Sequence, residues 1–539
     1  MAKIPQEVLN RNTHLKDYLE AFEKKGGSKP DFHETLREDM VRLKHPNIIY
    51  PVGDPIFIHV YNVEGLGRNY AAIEPGLTQS ERTKMREILG KILSLAPQEP
   101  FYASKPEQSK GIDSLIRKVT VVGKPTFLDS LRTNRIPLSK DQLERITYHI
   151  KRKLIENDIL EPLVRDPYIE DIHCVGIKNI SIVHKVFHML KTNIQFDGEL
   201  ELEEYLRRTS EAIGKPVSDS KPIVDAAMPD GSRINIIYSD DISKLGSSFT
   251  IRKFSEKPPT VVQLVKWNTF SAEIAAYLWL CLEYGMSIFV SGETASGKTT
   301  SLNSMLSLIS FNKKIYTAED TPEVVVPQPV WQRLITRDSG PEDSRVDLFD
   351  LVKSALRSRP DYIVIGEVRG KEGSVAFQAI QTGHAVLSTF HASSIQKMIQ
   401  RFTGEPINVP IRFMDNLNVA LFQEIVYDEG RIIRRCSTIE EIIKYSKEKG
   451  GVLTRAVFKW DPITDTHHFT GMFNSYILES KIAPKMGLEN PKDIYKEMQK
   501  RAKIIQRMVD DNLIQYDAVN KLFAEYSEKG MAAIPDKYK

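Results

Sequence analysis

Gly292, Gly297, Lys298 and Thr299 stand at the spacing G-x-x-x-x-G-K-[ST], within "SIFVSGETASGKTTSLNSML" from Ser287 to Leu306. A loop of this kind turns its backbone N–H groups, those of Thr294, Ala295 and Ser296 included, toward phosphate oxygens. The helix that follows adds partial positive charge at its N-terminus. Lys298 is placed to pair with the β- and γ-phosphates of a nucleotide, and Thr299 to hold Mg²⁺, with Thr300 beside it. "MSIFV" before the loop reads as a buried strand and "TTSLNSMLSLI" after it as a helix. That strand–loop–helix frame favours a phosphate site over a glycine turn with an exposed lysine.

Hydrolysis needs a group that positions water, and Mg²⁺ needs further ligands. In an open α/β sheet both come from the carboxyl ends of strands. "KIYTAED" ends at Glu319 and Asp320, and "DYIVIGEVRG" brings Glu367 after another strand. Asp361 precedes its strand, on the order of 15 Å from the far end at ~3.3 Å per residue, and is no substitute. Glu367 is therefore the expected base or water-orienting residue, with Glu319 as the alternative base and as a metal ligand. A third strand, "HAVLSTFHA", places Thr389 and His391 at its carboxyl end, where they could sense phosphate state.

These strands need a fold to hold them in register. After Pro258-Pro259, strands and helices alternate, which predicts a parallel sheet with crossover helices. "IAAYLWLCLEYGMSIFV" is interrupted by Glu283 and Gly285 and reads as a buried helix followed by a strand, too short to span a bilayer. Upstream, residues 116–255 read as an α+β domain. Residues 1–115 read as a mixed helical and strand domain that binds partners, in which Met85, Ile88, Leu89, Ile92 and Leu93 recur at helical spacing. Residues 256–262 form the linker, 263–479 the α/β domain and 480–539 a charged helical tail.

The 539 residues carry 74 Lys and Arg against 71 Asp and Glu, a net charge of +3, so bulk charge gives no sign of a nucleic-acid partner. Three dispersed cysteines, Cys174, Cys281 and Cys436, exclude a four-cysteine zinc site and make a disulfide framework unexpected. The polar N-terminus has no signal-peptide pattern, so a cytoplasmic protein with at most peripheral membrane contact is expected.

In order, "GETASGKTT", "YTAEDTPEV", "LRSRPDYIVIGEVRGKE" and "GHAVLSTFHA" resemble the Walker A, Asp box, atypical Walker B and His box of the secretion ATPase superfamily. The resemblance spans about residues 140–480. It implies a RecA-like P-loop ATPase domain behind a PAS-like α+β domain, assembled as a hexameric ring that hydrolyses ATP with Mg²⁺. "MPDGSRINIIY" and "SSFTIRKF" are similar to that family's arginine-donating stretches, which would make Arg233 and Arg252 catalytic. From the residues alone, Arg233 closes a turn and Arg252 is a strand-edge charge. Arg369 and Glu372 would help fix the Walker B segment.

The family's bacterial four-cysteine motif is absent from this chain. "IIYPVGDPIFIHVY" and "YAAIEPGL" instead resemble the archaeal branch, and the layout is most similar to its archaellum motor ATPases. The implied partners are a polytopic membrane platform protein and other cytoplasmic motor components, on the inner face of the cell membrane. Archaeal pilus assembly and type II secretion are the alternatives, ahead of a nucleic-acid translocating motor or a nucleotide-gated scaffold.

Overall fold

The computed structural model describes residues 4–63, 67–98, 104–123, 135–337, 341–428, 431–448 and 450–539. The chain divides into two compact units, Met1–Lys253 and Phe254–Lys539.

In the first unit the strands are β1 (Asp31–Phe32), β2 (Asn47–Pro51), β3 (Phe57–Val63), β4 (Gly67–Ile73), β5 (Thr120–Val122), β6 (Ile136–Leu138), β7 (Ile169–Val175), β8 (Ser181–His184), β9 (His188–Thr192), β10 (Ile223–Ala227), β11 (Arg233–Ile237) and β12 (Ser248–Arg252). β5 and β6 pair by themselves. The other ten form one sheet in the order β1-β2-β3-β4-β9-β8-β7-β12-β11-β10.

Alternation explains the strands: in β11, Ile234 and Ile236 point into the core while Arg233, Asn235 and Ile237 are partly exposed. The boundary drawn at residue 115 does not interrupt this sheet, because β4 pairs with β9 in parallel, Asn69 opposite Lys191 and Tyr70 opposite Thr192. A buried carboxylate fastens the same junction. Asp166 accepts hydrogen bonds from the Tyr50 and Tyr70 hydroxyls at 2.7 and 2.9 Å. Helices Gln79–Leu95, Lys105–Val119 and Lys140–Leu154 pack separately around Ile88, Ile92, Leu115, Ile116, Ile146 and Ile150. Leu93, expected on the packed face, is 56% exposed, since the true apolar stripe is narrower than the sequence run.

The second unit contains β13 (Ile288–Gly292), β14 (Ile315–Glu319), β15 (Trp331–Ile335), β16 (Tyr362–Glu367), β17 (Ala385–Phe390), β18 (Val419–Asp428), β19 (Arg431–Ser446), β20 (Gly451–Asp461) and β21 (Thr466–Phe469). Their order is β15-β14-β16-β17-β13-β18-β19-β20-β21. Every pairing from β15 to β18 is parallel, so these strands share one carboxyl edge, and β18 to β21 continue antiparallel. Helix Ala272–Glu283 is buried from Ile274 to Leu282 beneath the sheet. No helix among the described residues is long and apolar enough to cross a membrane.

The C-terminal helix Ile494–Asp510 packs on Ala272–Glu283, so residues 480–539 complete the core of this unit. Arg501, with a side chain only 3% exposed, pairs with Glu283 at 2.6 Å and Glu497 at 3.2 Å and lies 4.7 Å over the Trp279 ring. Arg501→Ala removes the cation from Glu283 and leaves it the Tyr526 hydroxyl alone. Urea unfolding should show a stability loss of about 3 kcal/mol, and an unchanged midpoint would mean the tail is not held this way.

Candidate functional site

β13 is buried between two parallel neighbours: Val290 lies opposite Thr389 of β17, and Gly292 opposite Gln423 of β18. At Gly292 the chain turns away from the sheet with φ +156°, and a Cβ there would sit 2.4 Å from the Gln423 carbonyl oxygen. Only glycine fits. Ala295 (φ +63°) and Gly297 (φ +89°) are left-handed, and helix Lys298–Leu306 begins at once. The Ser296 hydroxyl and the Lys298 ammonium each donate to the Glu293 carbonyl at 2.8 Å. Arg434 of β19 donates from Nε to the Ala295 carbonyl at 3.0 Å. Thr294 is exposed, while Thr299 and Thr300 are half-buried in the first helical turn.

Lys298 is buried, and that burial pulls its pKa down against the attraction of Glu367. Its Nζ is 3.4 Å from His391 Nδ1, and His391 Nε2 is 3.1 Å from Glu367 Oε1. Burial, then the Lys298 charge, keep the imidazole pKa below its ordinary value, so the ring is neutral at neutral pH. The tautomer that suits both contacts donates from Nε2 to Glu367 and presents the Nδ1 lone pair to Lys298.

Glu367 follows an irregularity in the β16–β17 register and lies opposite Thr389. Arg369 grips it with two hydrogen bonds, 2.8 and 2.7 Å. Burial alone would raise the Glu367 carboxyl, but Arg369, helped by His391 and Lys298, holds it below the usual range. Glu372 accepts from the Arg369 and Gly370 amides, both at 2.6 Å, and so fixes the turn that carries the guanidinium. The Thr389 hydroxyl donates to the Gly366 carbonyl at 2.7 Å, so it is engaged in holding the strand irregularity.

Glu319 is 1% exposed at the end of β14, beside Gly366 of β16. Its Oε1 accepts from the Glu323 and Val324 amides at 2.8 and 2.7 Å, while Oε2 is buried with no hydrogen-bond partner. Burial pushes this carboxyl up to about 7. The left-handed turn, the helix N-terminus that follows it and Lys298 fit a nucleotide's phosphates. Among the described residues no three His, Cys, Asp or Glu side chains form a metal cage. The donors present, the Thr299 hydroxyl and, through water, the Glu319 carboxyl, fit an Mg²⁺ held mainly by phosphate and water.

The structure thus groups Lys298, Glu319, Glu367 and His391 at one edge of the second unit. Arg233 and Arg252 are grouped with each other in the first, as register partners on β11 and β12. Arg233 pairs with Asp225 through two hydrogen bonds, 3.0 and 2.5 Å. Sequence reading missed Gln423 and Arg434, which reach the loop from a hairpin that lies far along the chain. A glutamine inside the apolar run "VALFQEIV" was the one local signal.

A phosphate-cradling turn after the central strand of a parallel sheet, with carboxylates after neighbouring strands, defines the P-loop α/β class. The sequence profile of the type II/IV secretion system protein family matches residues 154–444. An uncharacterised protein of Methanocaldococcus jannaschii is 53% identical over 538 residues, 98% of each chain. The type IV secretion system protein VirB11 of Bartonella quintana is 26% identical over 310 residues, covering 51% of this chain and 83% of VirB11. The crystal structure of the VirB11 ATPase of Brucella suis, 22% identical, covers 54% of this chain and 96% of its own, with a TM-score of 0.27. The chain belongs to the type II/IV secretion system protein family, and its full-length relative places it in the archaeal branch.

The raised Glu319 carboxyl has a consequence for stability. A carboxyl whose folded pKa lies above its unfolded value favours the folded state at low pH and loses that contribution as pH rises through the folded pKa. Relative to wild type, nucleotide-free Glu319→Gln should gain about 3 kcal/mol between pH 4.5 and 8, most of it below pH 7. Urea midpoints at pH 5 and pH 8 test this, and a pH-independent difference between the two proteins would contradict it.

Proposed function

We propose that this chain is an ATP-hydrolysing motor of the archaellum, acting as a homohexamer on a polytopic membrane platform protein at the inner face of the cell membrane. The observation that carries the ATPase part is the convergence of Lys298, His391 and Glu367 beside the turn at Gly292–Gly297. The turn amides and Lys298 bind the phosphates of ATP. Bound Mg²⁺ would supply charge neutralisation of the phosphate oxygens, held through Thr299 and Glu319. Glu367, ionised at neutral pH, orients the attacking water once Arg369 yields one of its two hydrogen bonds. His391 registers phosphate through Lys298 and reports it to Glu367. Arg233 and Arg252 provide cationic stabilisation of the transferring phosphoryl group, and the first half of the 256–262 linker turns their engagement and release into movement, because Thr260 caps a helix whose Val261 and Val262 are buried in the second unit's core.

The archaeal full-length relative and the archaeal character of the N-terminal strands support the archaellum reading. Likeness to VirB11 favours a second reading, a sister secretion or pilus assembly machine with the same chemistry.

Lys298→Ala should abolish ATP turnover and weaken nucleotide binding. Glu367→Gln should bind ATP within a few-fold of wild type but turn it over at least ~100-fold more slowly. Wild-type turnover in the Gln variant would move the base to Glu319. Replacing the chromosomal copy with Glu367→Gln in the source organism, then counting filament classes by electron microscopy, separates the machines. Loss of motility filaments alone supports the archaellum, while loss of pili or of secreted cargo with swimming intact assigns the sister machine.

A further inference from the structure

Glu319 has one oxygen fixed by two amides and one buried oxygen with no hydrogen-bond partner. The cation facing that open oxygen is Arg333, whose Nε is 4.0 Å away, too far for a hydrogen bond. Arg333 lies on β15 opposite Thr317, two residues before Glu319 on the neighbouring strand. Two aromatic rings flank its guanidinium. It stands 5.1 Å from the centre of the Trp331 ring and 5.4 Å from that of Phe254. The Trp331 ring is itself anchored, its indole N–H donating to the Thr317 hydroxyl at 3.0 Å. Phe254 is the first residue after the first unit ends at Lys253.

We propose that Arg333 is a positioning residue for the hydrolytic reaction: it advances to bond the open oxygen of Glu319 when the site turns over, and Phe254 and Trp331 hold it in the withdrawn position. This rests on the reading of Glu319 as a member of the nucleotide site. An advance of about 1 Å brings Nε into hydrogen-bond range of Oε2. The guanidinium is planar and stacks on rings while keeping its N–H groups directed at a carboxylate, which lysine cannot do. Because Phe254 opens the second unit two residues before the linker at 256–262, displacement of the chain there changes how firmly Arg333 is withheld from Glu319. The contact through which each ring acts on the site is its approach to the Arg333 guanidinium.

The test uses the full chain in five variants: Arg333→Gln, Arg333→Lys, Phe254→Leu, Trp331→Phe and Glu319→Gln. ATP turnover is measured alongside binding of a fluorescent ADP and intrinsic tryptophan emission. Arg333→Gln should lower kcat about ten-fold or more with ADP affinity within two-fold of wild type, and Arg333→Lys should recover only part of the loss. Phe254→Leu should change kcat several-fold with ADP affinity and melting temperature unaltered. Binding of ATP should change tryptophan emission in wild type, and that change should disappear in both Trp331→Phe and Arg333→Gln. Wild-type kcat in Arg333→Gln and Phe254→Leu, with Glu319→Gln impaired, overturns the proposal while leaving the ATPase reading intact. An emission change that persists unaltered in Arg333→Gln also overturns it. Full turnover in Glu319→Gln removes Glu319 from the site and the proposal with it.

Discussion

The backbone contact at the end of β13 constrains everything around it. Gly292 and the Gln423 carbonyl approach so closely that no side chain fits between them. That approach fixes the direction in which the chain leaves the sheet, and therefore where the turn amides and helix Lys298–Leu306 point. A flexible turn would have to order itself around each bound phosphate, at an entropic cost. Here, flanking parallel strands on both sides, the Ser296 hydroxyl and amide and Arg434 hold the turn in place. Because β14, β16 and β17 run parallel to β13, their last residues arrive at the same edge, and the remaining groups of the site follow from that geometry.

At this edge the two carboxylates are driven in opposite directions. Burial raises Glu319 to about 7, while Arg369, with His391 and Lys298, more than offsets burial at Glu367 and keeps it ionised. Pairs of titratable groups separated in this way take different roles. A permanently ionised carboxylate can orient water through every stage of a cycle. A carboxyl poised near neutrality gains its charge when a cation comes near and is relieved of it when the cation leaves. The neutral imidazole of His391, bonded to the anion on one side and facing Lys298 on the other, links the phosphate turn to Glu367 without adding a third charge.

What the sequence made legible was local. The Walker-type spacing, the apolar strand before it and the carboxylates one residue beyond later apolar runs are all short patterns, and the structure places Lys298, Glu319, Glu367 and His391 together. What escaped is nonlocal. Nothing near Tyr70 announces that β4 pairs with β9, or that Asp166 receives two tyrosine hydroxyls from a hundred residues away in sequence. Arg434 and Arg333 look like ordinary strand charges until the sheet order brings one to the turn and the other to Glu319. Thr389 shows the opposite error: its position at a strand end suggested chemistry, but its hydroxyl is engaged by the Gly366 carbonyl.

The arginines make the same point in energetic terms. Arg501 and Arg233 both pair with carboxylates, and a sequence cannot tell them apart. Arg501 is 3% exposed and braced by a tryptophan ring, so removing it takes the cation from Glu283 and Glu497 and leaves Glu283 only the Tyr526 hydroxyl. The Arg233–Asp225 pair is 42% and 46% exposed, in a solvent-screened setting where such pairs contribute about 0–1 kcal/mol. A contact that weak orients the guanidinium and can still be exchanged for phosphate oxygens, whose charge-assisted bonds to arginine are stronger. An exposed pair of this kind can change partners at little cost, whereas an arginine that fastens a helix to its core needs the burial of Arg501.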